Sequence, residues 1–104
     1  MNYSAPITDI RFLLDEVAGL PQITALPGCE EATPDLVAAV LEEAGKFAAG
    51  VLAPLNPVGD REGCRLEHGK VITPAGWTEA YQQFAEGGWV GLGLSPEYGG
   101  QGLP

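Results

Sequence analysis

Residues 33–53 constrain this chain more than any other stretch. Thr33-Pro34-Asp35 reads as the start of a helix. A threonine hydroxyl can accept a hydrogen bond from a free first-turn N–H, a proline at the first helical position gives up no bond, and a carboxylate there meets the positive end of the helix dipole. Behind this start, Leu36, Val37, Val40, Leu41, Ala44, Phe47, Ala48, Val51 and Leu52 recur at helical spacing. Pro54 stops the helix near Leu52 or Ala53. An apolar face this wide has to be covered by more than one neighbour. Glu42 and Lys46 stand four residues apart, in the favourable order, on the opposite side. Gly45 and Gly50 each cost ~1 kcal/mol of helix propensity relative to alanine, and close approach of another helix would account for Gly45.

The other elements are shorter. Thr8 reads as the cap of a first helix with Asp9 in its first turn, and Ile10, Leu13, Leu14 and Val17 make one stripe with Phe12 beside it. Gly19-Leu20-Pro21 ends that helix. Residues 21–32, with two prolines and Gly28, read as a loop pinned by Ile23 and Leu26. Residues 55–63 read as a turn-rich connection, and the runs 64–67 and 71–73 around His68-Gly69 predict a small hairpin. Thr73 and Pro74 repeat the cap logic. They predict a third main helix that buries Trp77, Ala80, Tyr81, Phe84 and Ala85, ends at Gly87-Gly88, and brings Trp89 close to the aromatic stripe. The fold class is therefore all-α: three main helices with long loops and one small hairpin.

With 104 residues the chain is one domain at most. Fourteen acidic residues against five basic ones give a net charge of −9, which opposes binding to nucleic acid or to an anionic membrane. No apolar run reaches the ~20 residues of a membrane span. The N-terminus lacks the basic and apolar regions of a signal peptide. Cys29 and Cys64 lie far apart in loop-like contexts and read as reduced thiols of a cytoplasmic protein.

Residues that could carry chemistry are few. His68 is the only histidine, and Cys64 with His68 supplies too few ligands for zinc. No serine or cysteine stands in a nucleophile motif. Gly91-Leu-Gly93-Leu-Ser-Pro96 opens like a dinucleotide fingerprint, but it has proline where the third glycine belongs and it follows a helix. Glu30-Glu31 and Glu42-Glu43 are adjacent pairs whose side chains diverge by about 100° on a helix. Trp77, Tyr81, Phe84 and Trp89 read as core ahead of an acyl or flavin pocket. The best site candidate is the loop Glu97-Tyr98-Gly99-Gly100, read first as a contact between domains and second as a wall of a substrate pocket. Apolar Leu92, Leu94, Tyr98 and Leu103 around it predict an ordered loop pressed against another surface.

An aromatic helix, then Gly87-Gly-Trp-Val-Gly-Leu-Gly-Leu94, then Ser95-Pro-Glu-Tyr-Gly-Gly-Gln-Gly-Leu-Pro104: this order resembles the N-terminal helical domain of the acyl-CoA dehydrogenases, which are FAD enzymes. Pro27-Gly-Cys-Glu-Glu-Ala-Thr-Pro-Asp-Leu-Val37, Leu52-Ala-Pro-Leu-Asn-Pro57 and Gly59-Asp60 extend the likeness. Tyr3-Ser-Ala-Pro-Ile-Thr-Asp-Ile-Arg-Phe-Leu-Leu14 resembles the N-terminal extension of one branch of that family.

The resemblance implies an extension with a short helix over residues 1–32 and the start of the helical domain over residues 33–104. In the family this loop leads into another helix and then the flavin-binding β-domain, so the chain is expected to be a piece of an enzyme. The family's glutamate base lies in its C-terminal domain, and its FAD contacts lie mostly in the middle and C-terminal domains. No catalytic, cofactor-binding or metal residue is therefore carried over. The implied partners are the remaining domains, an acyl-CoA substrate, an electron acceptor and further copies in a homo-oligomer. These 104 residues alone are expected to be inactive, to hold no FAD and to self-associate through uncovered apolar faces. The rival reading is a stand-alone acidic helical module that binds another protein.

Overall fold

The computed structural model describes residues 2–104. From the N-terminus the chain forms α1 (Ile7–Phe12), which runs on into a π-helical turn (Leu13–Val17), and then α2 (Leu20–Thr24). Next come α3 (Pro34–Phe47), with a second π-helical turn (Ala48–Leu52), and α4 (Leu55–Glu62). A hairpin of β1 (Arg65–Glu67) and β2 (Lys70–Ile72) precedes α5 (Trp77–Glu86), and two 3₁₀ turns follow at Trp89–Gly91 and Pro96–Tyr98. The chain is thus all-α with one small antiparallel sheet.

The long helix forms as its sequence dictates. Thr33 Oγ1 accepts the Leu36 N–H at 3.2 Å, and Pro34 opens the first turn. Lys46 Nζ lies 3.1 Å from Glu42 and 2.8 Å from Glu43. The hydrogen bond to Glu43, then that to Glu42, holds the lysine pKa above its ordinary value. Any stability from this exposed cluster is present in full below the ordinary lysine pKa and fades as pH rises through the raised value. Gly45 is where the N-terminal arm crosses: a Cβ there would stand 3.3 Å from Ile7 Cδ1 and 3.4 Å from Ala5 Cβ.

Four local expectations are corrected. Ile7 starts α1, so Thr8 lies inside the helix and caps nothing. Residues 20–24 are helical where a loop is expected from Pro21 onward. Gly19 at φ 70° breaks the chain direction, and Pro21 then falls in a first turn, where its missing N–H is harmless. Thr24 Oγ1 lies 3.0 Å from both the Leu20 and Ala32 carbonyl oxygens, and so ties the end of the following loop back to α2.

Residues 55–62 form α4 where turns are expected, because Pro57 too sits in a first turn. Within α4, Gly59 leaves room for the Trp77 indole: a Cβ there would come within 2.8 Å of Trp77 Cζ2. Finally, α5 begins at Trp77 and not after Thr73. Gly76, at φ 85°, is left-handed, which no α-helix interior accommodates, and Leu55 packs where its Cβ would be. The Ala75 N–H donates to Glu62 Oε2 at 3.0 Å and fixes this turn against α4.

The hairpin is as expected, with Arg65↔Ile72, Leu66↔Val71 and Glu67↔Lys70 paired. His68 and Gly69 both take positive φ, 50° and 75°, as a tight two-residue turn requires.

Packing is sparse. Phe47 and Phe84 join α3 to α5 with ring centroids 6.0 Å apart. Yet among the described residues the only buried apolar side chains outside proline are Ala32 and Ala80, and no large side chain is fully buried. The molecule measures 52 × 35 × 18 Å, and its radius of gyration is 17.1 Å against about 13 Å for a compact chain of this length. Its accessible surface is 7636 Å², whereas a folded monomer of 10.9 kDa should expose roughly 5,600 Å².

Thr33→Ala should cost about 1 kcal/mol of helix stability in a circular-dichroism denaturation, and Thr33→Ser almost nothing. Gly59→Ala should displace the indole, changing tryptophan emission and costing about 1–3 kcal/mol. Unchanged emission and stability would show that α4 and Trp77 do not meet as described.

Candidate functional site

The closing loop is built from backbone. Ser95 Oγ accepts the Glu97 N–H at 3.3 Å, and the Ser95 carbonyl accepts from Tyr98 and Gly100 at 3.0 Å each. Gly99, at φ 85°, turns the chain back. Gln101 then donates to the Gly91 carbonyl at 2.9 Å, Gly102 to Leu94 at 2.9 Å and Leu103 to Leu92 at 3.1 Å. Residues 100–103 therefore lie along residues 91–94 as a hydrogen-bonded ribbon. A Cβ on Gly100 would collide with the Leu94 carbonyl oxygen, so only glycine lets the two strands of this ribbon meet.

The loop is ordered, as expected, but it is not pressed against any described surface. Glu97, Tyr98 and Gly99 are exposed and Gly100 is half-buried. Tyr98, 81% exposed, presents its ring outward. Of the apolar residues around it, Leu92 and Leu103 are half-buried, while Leu94 is exposed.

The aromatic residues do not form the expected core. Trp77 and Tyr81 are 44% and 67% exposed, and Ala85 is exposed as well. With Leu52, Leu55 and Phe84, Trp77 and Tyr81 line an open apolar hollow of about 420 Å³. Trp89 lines a different hollow. Gly88, at φ 81°, reverses the chain after α5, and Trp89 joins Leu36, Val40, Leu92 and Leu103 around about 440 Å³.

A third hollow of about 480 Å³ separates the N-terminal arm from α3, with Tyr3, Ile7, Arg11, Ala38 and Lys46 on its walls. Its charge is largely spent internally, since both Glu42 and Glu43 engage Lys46. Cys29 and Cys64 are free thiols, and His68 occupies the hairpin turn. Among the described residues no group of three or more His, Cys, Asp or Glu could hold a metal ion, and no helix is long and apolar enough to cross a membrane.

The ribbon of residues 91–94 and 100–103 escapes a reading based on side-chain periodicity. Its one sequence signal is the density of glycine at 91, 93, 99, 100 and 102, which marks backbone meeting backbone and not a flexible link.

No protein-family model matches the chain. Over all 104 residues it is 44% identical to the 3-methylmercaptopropionyl-CoA dehydrogenase of Ruegeria pomeroyi, and it spans 18% of that protein's length. The resemblance to acyl-CoA dehydrogenases carried by the individual motifs thus holds along the entire chain.

Gly100→Ala should unpair the ribbon and speed amide exchange at Gln101, Gly102 and Leu103 by roughly tenfold or more, as expected when a locally hydrogen-bonded unit opens. Exchange equal to that of the natural sequence would contradict the ribbon.

Proposed function

We propose that these 104 residues are the N-terminal helical part of an FAD-dependent acyl-CoA dehydrogenase, which oxidises an acyl-CoA thioester to its α,β-enoyl form. The observation that carries this reading is the 44% identity, without a break in coverage of the chain, to an enzyme whose name states that class of activity. Because the chain spans 18% of that enzyme, the activity is assigned to a longer polypeptide and not to this part alone.

FAD, when bound to such an enzyme, supplies the acceptor for a hydride. The described hollows do not fit that dinucleotide. They are open and mainly apolar, and Lys46, one of the two cations lining the largest of them, is held by its own glutamates. Flavin binding is therefore assigned to residues outside these 104, and the resemblance to the family implies the same of the carboxylate base. The part played by the chain itself is packing and shaping. The face of Trp77 and Tyr81 and the outward ring of Tyr98 are the surfaces for other domains to cover. The loop Glu97-Tyr98-Gly99-Gly100 makes a domain contact or a pocket wall. Apolar surface left in water costs ~25 cal/mol per Å², so such faces drive association until they are covered. A stand-alone binding module is less favoured, since it would bury a core of its own.

The relative acts on 3-methylmercaptopropionyl-CoA by its name, so a short acyl-CoA bearing a thioether is the first substrate to try. The test is the complete gene product, purified and mixed with acyl-CoA thioesters. A flavin absorbance band that bleaches on addition of substrate is expected, and a colourless protein indifferent to acyl-CoA would overturn the proposal. The 104 residues by themselves should show no flavin band, bind a hydrophobic dye and scatter light as associated species. A monodisperse monomer that ignores the dye would contradict the packing role.

A further inference from the structure

We infer that the hairpin of β1 and β2 is a docking element, and that its occupant is another part of the same polypeptide, outside these 104 residues. The inference rests on the reading of the chain as one part of a longer enzyme.

Residues 60–73 are exposed without interruption. Within them Leu66 and Val71 pair across the two strands, so both side chains stand on one face, and they are 75% and 67% exposed. An isolated two-stranded hairpin is marginally stable in water. This one is fixed at its base, where Gly63 at φ 62° closes α4, Glu62 Oε2 accepts the Ala75 N–H at 3.0 Å, and the Thr73 and Thr78 hydroxyls meet at 3.4 Å. Among the described residues no backbone hydrogen bond reaches its strands from outside the hairpin. A sequence that keeps two branched apolar side chains side by side on one face of an exposed ribbon is built to press that face against protein.

Charge separates this surface from the rest of the molecule. Arg61, Arg65 and Lys70 are three of the five basic residues, and they offset Asp60, Glu62 and Glu67, so the whole net charge of −9 lies elsewhere in the chain. The hairpin is thus the one long exposed segment that can approach other protein without bringing net negative charge with it. The occupant follows from length. The relative that matches every residue here is more than five times as long, since the chain spans 18% of it. Most of the surface that could cover Leu66 and Val71 therefore belongs to the same polypeptide.

Limited trypsin digestion of the complete gene product tests this, because Arg65–Leu66 and Lys70–Val71 are both trypsin bonds. In the native protein these two bonds should be cut at least tenfold more slowly than in the Leu66→Ser/Val71→Ser variant, with each rate referred to that of the same protein heat-unfolded. Protection should not change on tenfold dilution. If the variant does not fold, the natural protein alone decides: native cleavage at either bond within a factor of two of the unfolded rate would overturn the inference. Protection that disappears on dilution would also overturn it, because the occupant would then be a second copy. A flavin enzyme with a rapidly cut hairpin would sink this inference alone, and a protected hairpin in a protein without acyl-CoA chemistry would sink the enzyme reading alone.

Discussion

The whole structure depends on a shortage of cover. The wide apolar face of α3 needs neighbours on more than one side, and a body 18 Å thick is less than two helix diameters deep. What packs on α3 is the N-terminal arm at Gly45 and α5 at the Phe47–Phe84 contact. These contacts hold the helices in register. They do not enclose any large side chain, and among the described residues the buried apolar positions are Ala32, Pro74 and Ala80. Trp77, Tyr81, Leu66, Val71 and Tyr98 are left facing solvent.

Where the chain closes on itself, a glycine often stands at the contact. Gly45 meets Ile7, Gly59 the Trp77 indole, Gly76 Leu55, and Gly100 the Leu94 carbonyl. A Cβ would strike the rigid indole at Gly59 and backbone at Gly100, so these two glycines serve contact and not flexibility. The same economy explains how the closing loop is ordered while its one large ring, Tyr98, points away from the body. Order there comes from the hydrogen bonds between residues 91–94 and 100–103, which leaves the side chains available to a neighbour.

Much of this was legible in the residues. The Thr33 cap, the Glu42–Lys46 pair and the His68-Gly69 turn follow from local chemistry, and the structure has all three. Two of the errors share a cause: proline reads as a breaker where it opens a helix. Pro21 and Pro57 both fall in first turns, so α2 and α4 read as loops in the sequence. Pro74 errs the other way: it reads as a helix start, but Gly76 postpones α5 to Trp77. Side-chain periodicity shows that α5 has an apolar face and cannot say whether a partner for that face lies within these residues. For Ala80 it does, and for Tyr81 it does not. The candidate loop is legible as ordered from apolar Leu92, Leu94, Tyr98 and Leu103 around it, but what it touches is not written in its own sequence.

A helical slab with uncovered aromatic residues, a neutral hairpin with an exposed apolar pair and 44% identity along the whole chain to a much longer enzyme support the proposal that protein outside these residues finishes the fold. Hydroxyl-radical footprinting of the complete gene product tests this most directly, with Trp77 and Tyr81 as reporters. Both rings should be modified several-fold more slowly than in the unfolded protein, because other parts of the polypeptide cover them. Modification of both at the unfolded rate in a native, folded protein would show that α5 faces water by design, and the central claim would fail.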